Sequence, residues 1–178
     1  MSPEQVVRDF YAAYARRDID EMMSHVSDGI VEDLSGVGLV TGAQQEREFL
    51  AGVIASFPDL VTELTGLLAC GDVVAVEWRR AGTFSGAPWT GLPASGKPFA
   101  LRGGAFLEVS ENKITRITGY YDTAEFARHI GALPAAGSRG ERLGVAIFRA
   151  RVRLQRAARA LTRPSITTRA AVGGEEKA

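Results

Sequence analysis

Val73-Val-Ala-Val-Glu-Trp-Arg-Arg-Ala-Gly-Thr-Phe84 reads as one long β-strand, and the chain on either side of it sets the fold. Branched and aromatic side chains suit a pleated, half-buried surface. Just upstream, Cys70-Gly71-Asp72 has turn chemistry, and the ten residues before it repeat the strand composition from Leu60. Downstream, a Gly/Pro-rich stretch from Gly86 to Gly96 leads into a third strand-like run, from Pro98. Glu111-Asn112 then joins that run to a fourth, which begins at Lys113 and ends at Tyr121. Four strands in succession predict an antiparallel sheet.

Working outward, the N-terminal sixty residues have a helical period. Val6, Val7, Phe10, Tyr11 and Tyr14 recur at helical spacing, and Ser2-Pro3 has the form of an N-cap followed by proline at the first helical position. A short helix is predicted from Ile19, a strand from Gly29 to Leu34, and a third helix from Ala43. Phe49, Leu50, Val53, Ile54 and Phe57 form the buried side of that third helix, and Pro58 closes it. Gly36, Gly38 and Gly42 fit neither a dinucleotide nor a phosphate-loop signature, and predict only a flexible loop. After the strands, Thr123 to Ile130 returns to helix, stopped by Gly131 and Pro134. Helices first and strands after predict an α+β domain with helices packed on one face of a curved sheet.

Composition narrows the function. The 178 residues are 46% hydrophobic and 24% charged, as in an ordinary globular protein. Cys70 is the single cysteine, so there is no internal disulfide and no thiolate cluster for zinc. With only His25 and His129 there is no catalytic triad and no metal-ligand spacing, and no metal or cofactor is expected. The N-terminus lacks the basic and apolar regions of a signal peptide, which leads us to expect a cytoplasmic protein.

The net charge of zero conceals an asymmetry. Residues 1–134 carry 11 Lys/Arg and 18 Asp/Glu, whereas residues 135–178 carry 10 and 3. The division is therefore a folded body over 1–134 and a tail over 135–178. The tail begins with a Gly/Ser-containing linker and continues as an amphipathic helix from Glu141 to Arg163. Leu143, Ile147, Ala150, Leu154, Ala157 and Leu161 follow alternating steps of four and three along it, and its seven arginines lie mainly elsewhere. Beyond Pro164 the composition is that of a disordered end. Packing on its own body or on a second subunit is the plainest role for this helix, and an anionic membrane surface would also suit it. Nucleic acid is not expected, because the arginines are not interleaved with aromatics.

Several of these segments resemble one superfamily. Gly71-Asp72 through Gly82-Thr83-Phe84-Ser85-Gly86, the Gly91-Leu-Pro-Ala-Ser-Gly96-Lys97 hairpin, and Asn112-Lys113-Ile114 followed by Tyr120-Tyr121-Asp122 are similar to motifs of the SnoaL-like polyketide cyclases. These belong to the superfamily of nuclear transport factor 2 and ketosteroid isomerase. The resemblance covers about residues 4–134. It implies a cone-shaped α+β barrel fold, a homodimer formed through the outer face of the sheet, and a small hydrophobic substrate of polyketide, terpenoid or steroid type. Ring closure is the reaction it favours, with double-bond isomerisation and epoxide opening as alternatives, and a non-catalytic binding or scaffold module as the rival class. If the substrate is carrier-bound, the basic helix would suit an acidic carrier protein.

The same resemblance points to two aspartates. Asp122 stands where the cyclases and the limonene epoxide hydrolases place an acid/base aspartate after the last strand. Asp33 stands in a segment similar to the proton-shuttling segment of ketosteroid isomerase. Burial raises a carboxyl pKa toward neutrality, which is what a proton shuttle needs. Each also has a plain reading: Asp122 before Thr-Ala-Glu suits a helix N-cap, and Asp33 before Leu-Ser-Gly suits a turn. Phe10, Tyr14, Trp78, Arg80, Phe84 and Phe106 are the candidates to line the substrate pocket, with Tyr14 as a hydroxyl donor. The histidine of the cyclase motif is replaced here by Phe84. The isomerase's two oxyanion donors fall near Phe10 and Gly104, and the hydrolase's inner-strand pair falls near Trp78 and Arg80. For the dimer face, Leu107, Val109 and Ile117 are the expected apolar residues.

Overall fold

The computed structural model describes residues 1–161, without the side chains of 157 and 159–161. The expected end beyond Pro164 lies outside the described residues. Met1–Ala136 and Gly137–Ala178 form two separate compact units.

In the first unit, α1 (Pro3–Arg16) starts where the sequence places it. Ser2 Oγ accepts from the Gln5 N–H at 3.2 Å, and the chain leaves the helix at Arg17 in the left-handed conformation. Then follow α2 (Ile19–Ser24), β1 (Val26–Leu34), β2 (Gly38–Thr41) and α3 (Ala43–Ser56). The long strands β3 (Val61–Cys70), β4 (Val73–Thr83), β5 (Pro98–Ser110) and β6 (Lys113–Tyr121) precede α4 (Thr123–His129). The short edge strand β2 was not foreseen. Gly36 and Gly38 have positive φ and turn the chain tightly enough for β2 to pair back on β1, so the expected loop is a hairpin.

The six strands form one curved, open sheet in the order β2-β1-β6-β5-β4-β3. Every neighbouring pair is antiparallel except β1 and β6, which run parallel, the chain from β2 to β5 supplying the long connection that a parallel pair requires. Helix α1 packs across β3 to β6, and α3 packs against β1 and β2. The core fills the space between these helices and the inner face of the sheet.

Strand phase corrects two expectations. Leu107, Val109 and Ile117 are buried in the core and do not form an outer apolar face. Phe106, expected in the pocket, is half-exposed on the outer face, where the register sets it beside Ala75, with Leu68 next along. In β6 the alternation is broken by a bulge opposite Glu108 and Val109, so Ile114 and Ile117 both point inward.

In the second unit, α5 spans Arg139–Leu161. It begins two residues before the expected Glu141 because Ser138 caps it. Ser138 Oγ accepts from the Glu141 N–H at 3.2 Å, while the Glu141 carboxylate accepts from the Gly137 N–H. No helix among the described residues is long and apolar enough to cross a membrane.

Candidate active site

An apolar cleft opens between α3, the inner face of the sheet and α4. Its cavity volume is about 60 Å³, and it is partly open to solvent. Helix α3 contributes Phe49 and Val53, followed by Phe57 at its end. Strands β4 to β6 contribute Trp78, Arg80, Phe99, Leu101 and Tyr121, and α4 contributes Phe126. Leu34 and Val37 close one side, and Trp89 comes from the connection between β4 and β5. The rings hold one another in place: Phe57 packs on Phe84, Trp89, Phe99 and Phe126 with centroids 5.1–5.9 Å apart. Such a wall suits contact with an apolar or aromatic group.

Arg80 is the one cation on this wall. Its guanidinium lies over the rings of Tyr14 at 4.5 Å and Trp78 at 4.4 Å. Two aromatic faces stabilise a cation and fix its plane without consuming its N–H donors. The Arg80 Nε is buried and has no acceptor. Trp78 can lie flat here because its neighbour across the strands is Gly103. A Cβ at Gly103 would sit 2.3 Å from the indole and 2.5 Å from the Tyr120 carbonyl oxygen. Tyr121 lines the cleft on the other side of Trp78, with ring centroids 6.5 Å apart.

Beyond Arg80 lies a pair of buried carboxyls that sequence reading missed, Glu32 on β1 and Glu46 on α3. Among the described residues, no N–H or hydroxyl reaches either oxygen of Glu46 or Oε2 of Glu32. The two carboxyls lie close enough to act on one another's protons. Burial, then the charge of Glu32 and the hydrogen bond to it, push Glu46 up to about 9. Burial raises Glu32 as well, while its bond to Glu46 and the charge of Arg80 pull it back. Burial therefore favours the protonated form of both carboxyls, most strongly at Glu46, while the Arg80 charge favours the ionised form at Glu32. Burial also raises the hydroxyls of Tyr11 and Tyr14, which stay protonated beside the pair.

The expected aspartates go elsewhere. Asp33 is exposed on β1, because the strand turns alternate residues inward and Ile30 and Leu34 take Glu32 with them into the core. Asp122 is exposed and caps α4, its Oδ1 accepting from the N–H groups of Ala124 at 2.9 Å and Glu125 at 2.8 Å. Neither lines the cleft. Of the expected lining residues, Trp78 and Arg80 do so, and Tyr14 supports Arg80 from beneath. Phe84 stands behind Phe57, and Phe10 packs edge-on against Tyr11 and Tyr14 in the core, so neither is on the wall. The signal for Glu32 and Glu46 was in the sequence: Glu32 lies two residues from both Ile30 and Leu34, and Glu46 lies one turn before Leu50.

Residues 7–117 match the model of the SnoaL-like domain. The chain belongs to the SnoaL-like domain family. A search of curated proteins finds no match. Among solved structures, this SnoaL-like protein is similar to a candidate polyketide cyclase of Xanthomonas campestris at 28% identity. That match covers 72% of this chain and 99% of the other, with a TM-score of 0.62. It shares its fold with AclR, a candidate hydroxylase of Streptomyces galilaeus, at 19% identity and a TM-score of 0.66, covering 91% and 97% of the two chains. IdmH, a candidate polyketide cyclase of Streptomyces antibioticus, matches at 20% identity and a TM-score of 0.63, over 74% of this chain and 99% of its own. Relatives described by different reactions on one fold leave the chemistry to be argued from the site.

Proposed function

We propose that this SnoaL-like protein is an acid/base enzyme of the cyclase type, closing a ring in a hydrophobic, polyketide-like substrate. The observation that carries the reading is the Glu32–Glu46 pair set behind Arg80 at the edge of an aromatic cleft. In this reading the substrate displaces Leu34 and Phe49 from the wall to reach the pair. Glu32 removes a proton from a carbon flanked by carbonyls, and the enolate oxygen that forms is held by the Arg80 guanidinium. The enolate carbon bonds to a second carbonyl carbon of the same substrate. The alkoxide so formed takes the proton of Glu46, and transfer along the hydrogen bond from Glu32 to Glu46 restores the pair. Base and acid thus differ in protonation because they share one proton, a general way of obtaining both roles from like groups.

Neither carboxyl lines the cleft; Leu34, two residues beyond Glu32 on the strand, and Phe49, three beyond Glu46 on the helix, stand in the wall. That sealing favours a second reading, a ligand-binding module with no chemistry. Deuterium exchange separates the two, with 1-phenylbutane-1,3-dione in D2O as the probe. The enzyme reading expects exchange above background that falls about 100-fold or more in Glu32→Gln and persists in Asp33→Asn and Asp122→Asn. Quenching of Trp fluorescence by the probe with no exchange above background would support the binding module instead.

A further inference from the structure

We infer that α5 is an interfacial helix that lays this protein on an anionic lipid surface. Two stripes of unlike chemistry run side by side along the helix, with exposed Val145 and Phe148 on the side opposite the apolar one. Leu143, Ile147 and Leu154 form one apolar stripe, each more than 60% exposed. Arg142, Arg149, Arg153 and Arg156 recur at steps of seven, four and three and form a second stripe beside it. From Arg142 to Leu161 there is no aspartate or glutamate, so six arginines share the helix with no acid after Glu141. A helix with a charged basic side, an apolar side and low overall hydropathy is the kind that lies in a lipid interface, its arginine stems covering the acyl boundary and their heads on the phosphates.

Charge and packing disfavour the other occupants. In a parallel pair of α5 helices the positions flanking the seam would set Arg151 against Ala146 and Arg153 against Ala158, so no ion pair would fix the partner. An acid polymer without an apolar surface would leave Leu143, Ile147 and Leu154 in water. An anionic bilayer takes both stripes at once. The acidic Met1–Ala136 unit gains nothing from such a surface, which confines the attraction to the helix.

Flotation of the full chain with unilamellar vesicles tests this. Binding is expected to vesicles of phosphatidylcholine with phosphatidylglycerol, not to phosphatidylcholine alone, and to weaken in about 1 M salt, where the Debye length falls to about 3 Å. Replacing Arg149, Arg153 and Arg156 together by Gln is expected to weaken binding about 100-fold, at about fivefold for each charge near an anionic surface. Replacing Leu143, Ile147 and Leu154 by Ser is expected to abolish it. The thermal midpoint of the body reports that each variant is folded. Two results would overturn the inference. One is no flotation with the anionic vesicles, including the case of a solution dimer that the Ser variant dissociates. The other is flotation of the Ser variant equal to that of the wild type, which would reduce the effect to charge alone.

Discussion

Replacing Glu46 by Gln tests the shared proton directly, through stability. Glu46 is fully buried and its carboxyl is pushed from 4.5 up to about 9. Between those values the folded chain holds a proton that the unfolded chain releases. Stability then falls as pH rises, by up to about 1.4 kcal/mol per pH unit, and levels off below the unfolded value and above the folded one. From pH 5.5 to pH 7.5 the wild type should lose about 2–3 kcal/mol from this group, a large share of a typical domain's 5–15 kcal/mol. Gln keeps the shape of the protonated acid and donates to Glu32 in its place, but it binds no proton in either state. Urea unfolding of both proteins at the two pH values is the assay. The variant should exceed the wild type by about 1–1.5 kcal/mol at pH 5.5 and by about 4 kcal/mol at pH 7.5. Parallel pH dependences in the two proteins would show that Glu46 carries no retained proton, and the Glu32–Glu46 mechanism would fall with it.

Asp122→Ala should lower stability by about 1 kcal/mol through loss of the α4 cap, whereas Asp122→Asn should leave it nearly unchanged; thermal denaturation of the two variants distinguishes a cap from a charge. Gly103→Ala should destabilise by about 1–3 kcal/mol or more, because the new methyl meets both the Trp78 ring and backbone, and a loss of near-UV circular dichroism should report the displaced indole. Phe106→Glu should yield a monomer if, as we propose, the protein dimerises through the outer face that carries Leu68, Phe106 and Tyr120; sedimentation equilibrium gives the answer, and a wild type that is monomeric at micromolar concentration would remove the proposal.

The order of elements was legible in the chain because local signals are self-contained. Ser2-Pro3 before an apolar period of 3.6, Pro58 after Phe57, and Cys70-Gly71-Asp72 between two runs of branched residues need no distant partner to take effect. Strand phase was less secure. Phe106 and Leu107 are adjacent and both apolar, and composition alone does not choose which one enters the core. The choice follows from the whole strand, where Leu101, Ala105, Leu107 and Val109 share one side, and in β6 from a bulge that only pairing reveals. Glu32 and Asp33 posed the same ambiguity with two acids, and the flanking Ile30 and Leu34 decide it.

The candidate site itself is a tertiary fact. Glu32 sits on a strand and Glu46 on a helix, and each taken alone is an acid on an otherwise apolar face, which amounts to a local defect. Packing α3 against β1 brings the two defects together and buries both, which raises the pKa of each. Arg80 is readable as an inward residue from its alternation with Trp78, yet its stacking on Tyr14 depends on α1 lying across β4. Periodicity fixes which side chains turn inward, because it is set by the backbone of one element. Which inward groups meet, and what they do to one another's protons, depends on distances and dielectric that exist only once the elements have packed.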